Sequence, residues 1–142
     1  MVVVNTGTVE ASPMIGCGSS HSGAFLRVAA VLMFLFASPM LFVPLAWARA
    51  LRWKLPTETA LTVYFGRCLG GVLCVLAAMG LAAAQTPAVQ PFFFTLVLAA
   101  TALNIAIHVW GACRRIQPLT ETVEIVAWVA LFLAALVFYP AA

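Results

Sequence analysis

A few ionisable and amide side chains interrupt the long apolar stretches of this sequence. They are Arg67, Asn104, His108, Glu121 and Glu124. An ionisable side chain at the centre of a membrane helix costs about 2.5–3.5 kcal/mol on insertion scales, so each one is a candidate functional residue if these stretches cross a bilayer. Asn104 and His108 are four residues apart, and Glu121 and Glu124 are three apart. Each pair therefore shares one face of a helix.

Two kinds of chemistry fit these residues. An ion pair between Arg67 and Glu124 beside His108 would suit a proton path or the binding of a small anionic group, since histidine titrates near neutral pH. In the alternative structural role, Arg67 and Glu124 only neutralise each other, while Glu121, like Glu58, complements the positive end of a helix dipole. A proton path continues across the membrane, and the outer halves of the last three predicted helices carry no ionisable residue. The sequence therefore favours the structural role.

The composition predicts that these residues lie in a membrane protein. Of the 142 residues, 65% are hydrophobic and 8% are charged, whereas a soluble domain is about half apolar and about a quarter charged. Seven basic and four acidic residues cannot cover a soluble domain of this size without leaving large apolar patches in water. The bilayer is therefore the expected solvent.

The hydrophobic segments predict an all-α bundle of four transmembrane helices. Each segment is close to the roughly 20 residues that cross the hydrocarbon core. Pro39 and Pro44 lie inside the first segment and predict a kink, because proline removes a backbone donor. Pro56, Thr57 and Glu58 predict the start of the second helix, where they suit the free N–H groups. The predicted helices span residues 24–48, 57–84, 92–113 and 119–138, in one domain over residues 24–142, after a flexible polar tail over residues 1–23.

Basic residues cluster in two of the predicted connections. The connection over residues 85–91 carries none, whereas the other two carry Arg49, Arg52, Lys54, Arg114 and Arg115. Because short cytoplasmic loops are enriched in Lys and Arg, this distribution predicts cytoplasmic basic loops and outward termini in a bacterial inner membrane. Such clusters suit anionic lipid headgroups. No basic stripe interleaved with exposed aromatic residues occurs, so no nucleic-acid partner is expected.

The two halves of the chain share a weak internal similarity. At a constant offset of 63 residues, Trp47, Arg52, Thr57, Glu58 and Thr59 match Trp110, Arg115, Thr120, Glu121 and Thr122. The halves are therefore either two copies of a duplicated helical hairpin, oriented in parallel, or unrelated hairpins that use the same favourable boundary residues.

Small residues on the second predicted helix indicate close helix packing. Gly66 and Gly70 form a G-x-x-x-G, and Cys74 and Ala78 continue the same line, which lets another backbone approach closely. The line faces either the fourth helix or another protein, so a homo-oligomer or a partner membrane protein is a possible occupant.

Metal and cofactor sites are not expected from the motifs. Cys17, Cys68, Cys74 and Cys113 show no C-x-x-C spacing and are interpreted as packing residues, with a reactive or paired Cys17 as the alternative. The only histidine besides His108 is His21, which belongs to the opposite side, so haem ligation is not expected. No H-E-x-x-H, G-x-S-x-G or phosphate-binding glycine loop occurs, which disfavours an enzyme.

The layout and the stretch Phe65-Gly66-Arg67-Cys68-Leu69-Gly70-Gly71 resemble small DoxX-like and related uncharacterised bacterial inner-membrane proteins. The resemblance covers the four-helix layout and these residues, and it implies no functional residue. The leading hypothesis is a non-enzymatic accessory, assembly or scaffold protein. The alternative is a small carrier or proton-coupled transporter that uses the polar residues near the cytoplasmic face.

Overall fold

The chain folds into four long helices. The computed structural model describes residues 17–140, with side chains from residue 21 onward. Within this range there is no strand, and the candidate membrane spans are His21–Phe42, Ala60–Ala83, Pro87–Arg114 and Leu119–Val137. The protein is therefore an all-α, multi-pass membrane protein, as predicted. Its helices are α1 (Cys17–Phe42), α2 (Pro44–Ala50), α3 (Ala60–Ala83), α4 (Gln90–Arg114) and α5 (Leu119–Val137), with a short 3-10 turn, Pro87–Val89, before α4.

Two helix starts differ from the prediction. Helix α1 already begins at Cys17, so residues 17–23 are not part of a tail, and residues 1–16 and the Cys17 side chain lie outside the described residues. Ser22 is buried and its hydroxyl donates to the carbonyl of Phe138 at 2.8 Å, so tertiary contact overrides the weak helix propensity of this polar segment. Helix α3 begins at Ala60, later than predicted, because the Glu58 carboxylate accepts a hydrogen bond from the Ala60 N–H at 2.9 Å.

The predicted bend in the first span occurs at the second of its two prolines. Helix α1 continues through Pro39 and ends at Phe42, and Val43 leaves the helical conformation at φ −133° and ψ 55° before Pro44 starts α2. Proline cannot donate to the preceding turn, and its ring crowds the carbonyl four residues back, which explains a break at this point. The Trp47 N–H donates to the Val43 carbonyl at 3.0 Å and carries the chain into α2.

The small residues of α3 pack against α1. A Cβ on Gly66 would lie 2.8 Å from Pro44 Cβ, and one on Gly70 would lie 2.9 Å from Leu41 Cα. The G-x-x-x-G line therefore faces the first span, and neither the fourth helix nor another protein is needed to explain it. Further along α3 the contact passes to the buried Ala77 and Gly80, while Ala78 is exposed and Cys74 is half-buried. The predicted line departs from the packed face at Ala78, because two packed helices follow a repeat near 3.5 residues rather than strict steps of four, and the half-buried Cys74 stays a predicted packing residue.

The bundle consists of two helical hairpins that meet at their ends. Most contacts between the long helices lie within the pairs α1/α3 and α4/α5. At one end the hairpins share an apolar core built around Leu26, Ala84 and Phe94. At the other end, which carries the basic connections and is called the basic end below, the Thr120 hydroxyl donates to the Leu51 carbonyl. The candidate polar residues lie near this basic end.

Both hairpins turn at an arginine in the left-handed conformation. Arg52 has φ 64° and Arg115 has φ 54°, and no other non-glycine residue in the described range has a positive φ. The N–H of Arg52 donates to Arg49 and that of Trp53 to Ala48, and the same two bonds recur 63 residues later, from Arg115 to Ala112 and from Ile116 to Gly111. This offset is that of the sequence repeat. A duplicated hairpin predicts a shared turn, and so does independent use of the common left-handed helix end, so both explanations of the repeat stand.

Candidate functional site

One imidazole and two carboxylates converge near the basic end of the α4/α5 hairpin. His108 lies on α4, about 9 Å before the helix ends at Arg114. Glu121 and Glu124 occupy the first two turns of α5 and share a face, as their spacing predicts. His108 Nε2 lies 3.2 Å from Glu121 Oε2 and 3.8 Å from Glu124 Oε2. These three residues are called the His–Glu cluster below.

The surroundings hold the His–Glu cluster in a defined orientation. His108 Nδ1 lies 2.8 Å from the carbonyl oxygen of Asn104, one turn earlier on α4. Because a carbonyl oxygen only accepts, Nδ1 carries the hydrogen of this bond, and Nε2 is the ring nitrogen that faces the carboxylates. Trp53 Nε1 donates to Glu121 Oε1 at 2.7 Å, across from the first hairpin. The cluster is thus tied to both hairpins through Trp53.

A loop residue supports the same region. Gln117 Nε2 donates to the His108 carbonyl at 3.1 Å and to the Thr122 hydroxyl at 3.2 Å. Gly111 makes room for it, because a Cβ at that position would collide with the Gln117 carboxamide. The α4–α5 connection is therefore built closely around the cluster.

The predicted ion pair between Arg67 and Glu124 does not form. Within residues 17–140 the ion pairs are those of His108 with the two glutamates. Arg67 is exposed on α3, where it borders a shallow groove between α2 and α3 beside Val43 and Pro44. Because α3 packs on α1 and α5 on α4, Arg67 and Glu124 belong to different hairpins and do not meet.

The Asn104 side chain also stays outside the cluster. Its Nδ2 donates to the Ala100 carbonyl at 2.9 Å, and only its backbone oxygen reaches His108. Sequence reasoning missed Trp53, Gln117 and Trp128, whose ring centroid lies 6.0 Å from that of His108. Trp128 could have been found, since it lies one turn beyond Glu124 on the same face of α5. Trp53 lies in the connection between α2 and α3, where no helix periodicity predicts that its side chain reaches Glu121.

The cluster offers a site for a cation or a proton. One ligand atom from each of its three residues lies within 4.8 Å of the other two. With both carboxylates ionised, the three side chains carry a net negative charge whether or not the histidine is protonated, so the arrangement favours a cation or a proton. The motif-based expectation of no metal ligands did not consider this set, because its members lie on two helices without a recognisable spacing.

No family model matches this chain, and no curated protein or solved structure matches it either. The resemblance to DoxX-like proteins therefore stays a prediction, and the function must be argued from the residues themselves.

Proposed function

We propose that this protein is a non-enzymatic accessory or assembly subunit of a bacterial inner-membrane complex. The observation that carries the proposal is Arg67, an exposed cation on a membrane-spanning helix that has no ion-pair partner within residues 17–140. The proposed partner is a transmembrane helix that carries an aspartate or glutamate at the depth of Arg67.

The position of Arg67 makes the lack of an acid costly. It lies about 10 Å along α3 from the first residue of the helix, Ala60. Gly66, the residue before Arg67, packs on Pro44, which is the first residue of α2. Helix α2 continues about 9 Å from this level toward the basic end, so Arg67 does not lie at the edge of the bundle. A guanidinium at this depth is relieved in part by snorkelling toward the headgroups and more fully by a carboxylate beside it.

The surface around Arg67 suits a helix as the partner. Arg67 borders a second shallow groove, on the surface of α3 itself, formed with Cys68, Gly71, Val72, Val75 and Leu76. Arg67 is the only charged residue along it, at the end nearer the basic loops. A partner helix lying in this groove would pack apolar side chains against α3 and present its acid to Arg67.

Purification from native membranes in a mild detergent tests this proposal. The tagged wild-type chain should retain a stoichiometric partner, Arg67→Ala should lose it, and Arg67→Lys should retain part of it. Arg27→Ala is the matched control, because Arg27 is also an exposed arginine on a spanning helix with no ion-pair partner within residues 17–140, but it lies on α1 near the end opposite the basic loops, away from the proposed contact surface.

Three results would overturn the accessory role. The first is a wild-type chain that leaves the membrane without any partner while its deletion leaves every membrane complex intact. The second is equal retention of the partner by the wild type and Arg67→Ala. The third is loss of bound phospholipid alone in Arg67→Ala, which would assign the arginine to a lipid headgroup.

The proposed location and orientation follow from the basic loops. With Arg49–Lys54 and Arg114–Arg115 on the cytoplasmic side, both termini lie outside. Reporter fusions at the C-terminus and within residues 49–54 should then report opposite sides of the membrane. The same side for both fusions would refute this topology.

A small carrier is the second candidate, favoured by the His–Glu cluster at the basic end. The side chains of His108, Glu121 and Glu124 are 11%, 14% and 22% exposed, respectively, so an ion or proton bound there is largely shielded from solvent. If the protein is a carrier, the wild type should transport an ion or protons across reconstituted vesicles, and His108→Gln and Glu124→Gln should abolish this flux. Equal flux in these variants and in the wild type would exclude it.

A further inference from the structure

We propose that the His–Glu cluster is a binding site for one divalent transition-metal ion. Ligand atoms bound to one ion at about 2.1 Å lie about 3.0–3.4 Å apart in octahedral or tetrahedral geometry. His108 Nε2 is already 3.2 Å from Glu121 Oε2 and 3.8 Å from Glu124 Oε2, and one ligand atom from each of the three residues lies within 4.8 Å of the other two. Small side-chain rotations would close this set around an ion.

The contacts around the cluster resemble the outer shell of a metal site. A metal-bound histidine almost always donates its other ring N–H to a carbonyl or carboxylate, as His108 Nδ1 is placed to do toward Asn104 O at 2.8 Å. Glu121 receives the Trp53 N–H on Oε1, which leaves Oε2 directed at the ion position. These contacts orient the ligands before an ion arrives.

Charge balance gives an independent argument for a cation. Nε2 carries at most one hydrogen, yet two carboxylate oxygens lie within 4 Å of it. The nearest basic residue along α4, Arg114, lies over the Trp110 ring instead, at 5.7 Å from its centroid. Within residues 17–140 no arginine or lysine pairs with Glu121 or Glu124. A divalent ion would neutralise the two carboxylates.

The sequence repeat shows that a hairpin of this kind closes without the cluster. At the offset of 63 residues, His108, Glu121 and Glu124 correspond to Leu45, Glu58 and Leu61. The first hairpin nevertheless makes the same left-handed turn. Its one retained acid, Glu58, binds the Ala60 N–H at the start of α3. The turn therefore does not require three converging polar side chains, and their presence in the second hairpin needs another explanation.

The donor atoms define the class of ion. One imidazole nitrogen with carboxylate oxygens and no thiolate suits Mn²⁺, Fe²⁺ or Zn²⁺. Three protein ligands leave at least one coordination position for water or an anionic group. Trp128, whose ring lies against His108, has a buried Nε1 with no hydrogen-bond partner in the described part of the chain.

The test is metal uptake by the full chain in detergent micelles after treatment with a chelator. Mn²⁺ is titrated and followed by loss of the free-ion electron paramagnetic resonance signal, since carboxylate sites bind it and thiols bind it poorly. Zn²⁺ is titrated in parallel by calorimetry. We expect one ion per chain, with affinity reduced at least tenfold in His108→Gln and Glu124→Gln. Removing the outer contact in Trp53→Phe should weaken binding about tenfold.

Glu58→Gln is the matched control and should bind like the wild type, because Glu58 is the counterpart of Glu121 without the other two ligands. Tryptophan fluorescence in each variant checks that the bundle has folded, and an ion-dependent rise in Tm should occur in the wild type and in Glu58→Gln only. Absence of both Mn²⁺ and Zn²⁺ binding by the wild type would refute the site. Equal uptake by wild type and Glu124→Gln would refute it as well. Neither result affects the partner proposed at Arg67, whose test does not involve these residues.

Discussion

Replacing Gly70 with alanine should force α1 and α3 apart. The added Cβ would lie 2.9 Å from Leu41 Cα and 3.0 Å from the Ala37 carbonyl oxygen. Both atoms belong to the backbone of α1, so no flexible side chain can move aside. Carbon atoms at optimal contact lie about 3.5–4.0 Å apart, so the helices must separate by about 1 Å.

The neighbouring Gly71 provides a control that isolates this cost. A Cβ on Gly71 would meet only Leu41 Cδ1, at an ordinary 3.8 Å. Both substitutions gain the same helix propensity, about 1 kcal/mol for alanine over glycine. Their difference in the free energy of unfolding therefore reports the overpacking alone, which typically costs about 1–3 kcal/mol. Gly70→Ala should be the less stable variant by that amount.

The assay is unfolding of the detergent-solubilised chain by increasing SDS, followed by tryptophan fluorescence. Trp47 is a suitable probe, because its ring packs edge-on against Phe36 at 5.0 Å between centroids, close to the α1/α3 contact. Equal midpoints for Gly70→Ala and Gly71→Ala would refute the packing of α3 on α1. A larger loss for Gly71→Ala would contradict the contact of Gly70 with the α1 backbone as well.

The same unfolding experiment tests three further changes. Thr120→Val removes the hydrogen bond that joins the hairpins at the basic end and should lower the free energy of unfolding by about 0.5–1.5 kcal/mol. Thr57→Val, at the corresponding position of the repeat, is the control and should be nearly neutral. Equal losses in the two variants would contradict this link between the hairpins. Arg115→Gly should be about 1–2 kcal/mol more stable than Arg115→Ala, because φ is 54° and a Cβ disfavours the left-handed conformation, and a reversed order would argue against the left-handed turn. Gly111→Ala should displace the flexible Gln117 carboxamide and break its bonds to the His108 carbonyl and the Thr122 hydroxyl, a loss of about 0.5–1.5 kcal/mol per bond that a gain of about 1 kcal/mol in helix propensity offsets in part; a variant more stable than the wild type by that full gain would show that the loop has room.

Much of the architecture could be predicted because the bilayer restricts what a spanning segment can be. Each segment must be helical, apolar and about 20 residues long. Pro39 and Pro44 together predicted a bend, since proline acts on its own backbone, and the helix breaks at the second of them. The end of the third span at Arg114 differs by only one residue from the prediction. The late start of α3 depends on how Glu58 turns back to the Ala60 N–H, which residue type alone does not decide.

The composition of the candidate site was only partly predictable. Helix periodicity placed Glu121 and Glu124 on one face, and distances along the helices placed them at the level of His108. Arg67 was assigned to the same group because it lies at a similar depth. Depth says nothing about direction around the bundle axis, and the structure shows Arg67 on the opposite hairpin, exposed on α3.

The sequence by itself determined that this chain is a four-span membrane protein with its few polar side chains near the basic loops, because length, hydropathy and charge act locally. Only the tertiary structure decided which faces meet. In a bilayer the outward and inward faces of a helix are both apolar, so periodicity does not distinguish them. The partner of Gly70, the exposure of Arg67 and the convergence of His108 with two glutamates all follow from the pairing of α1 with α3 and of α4 with α5.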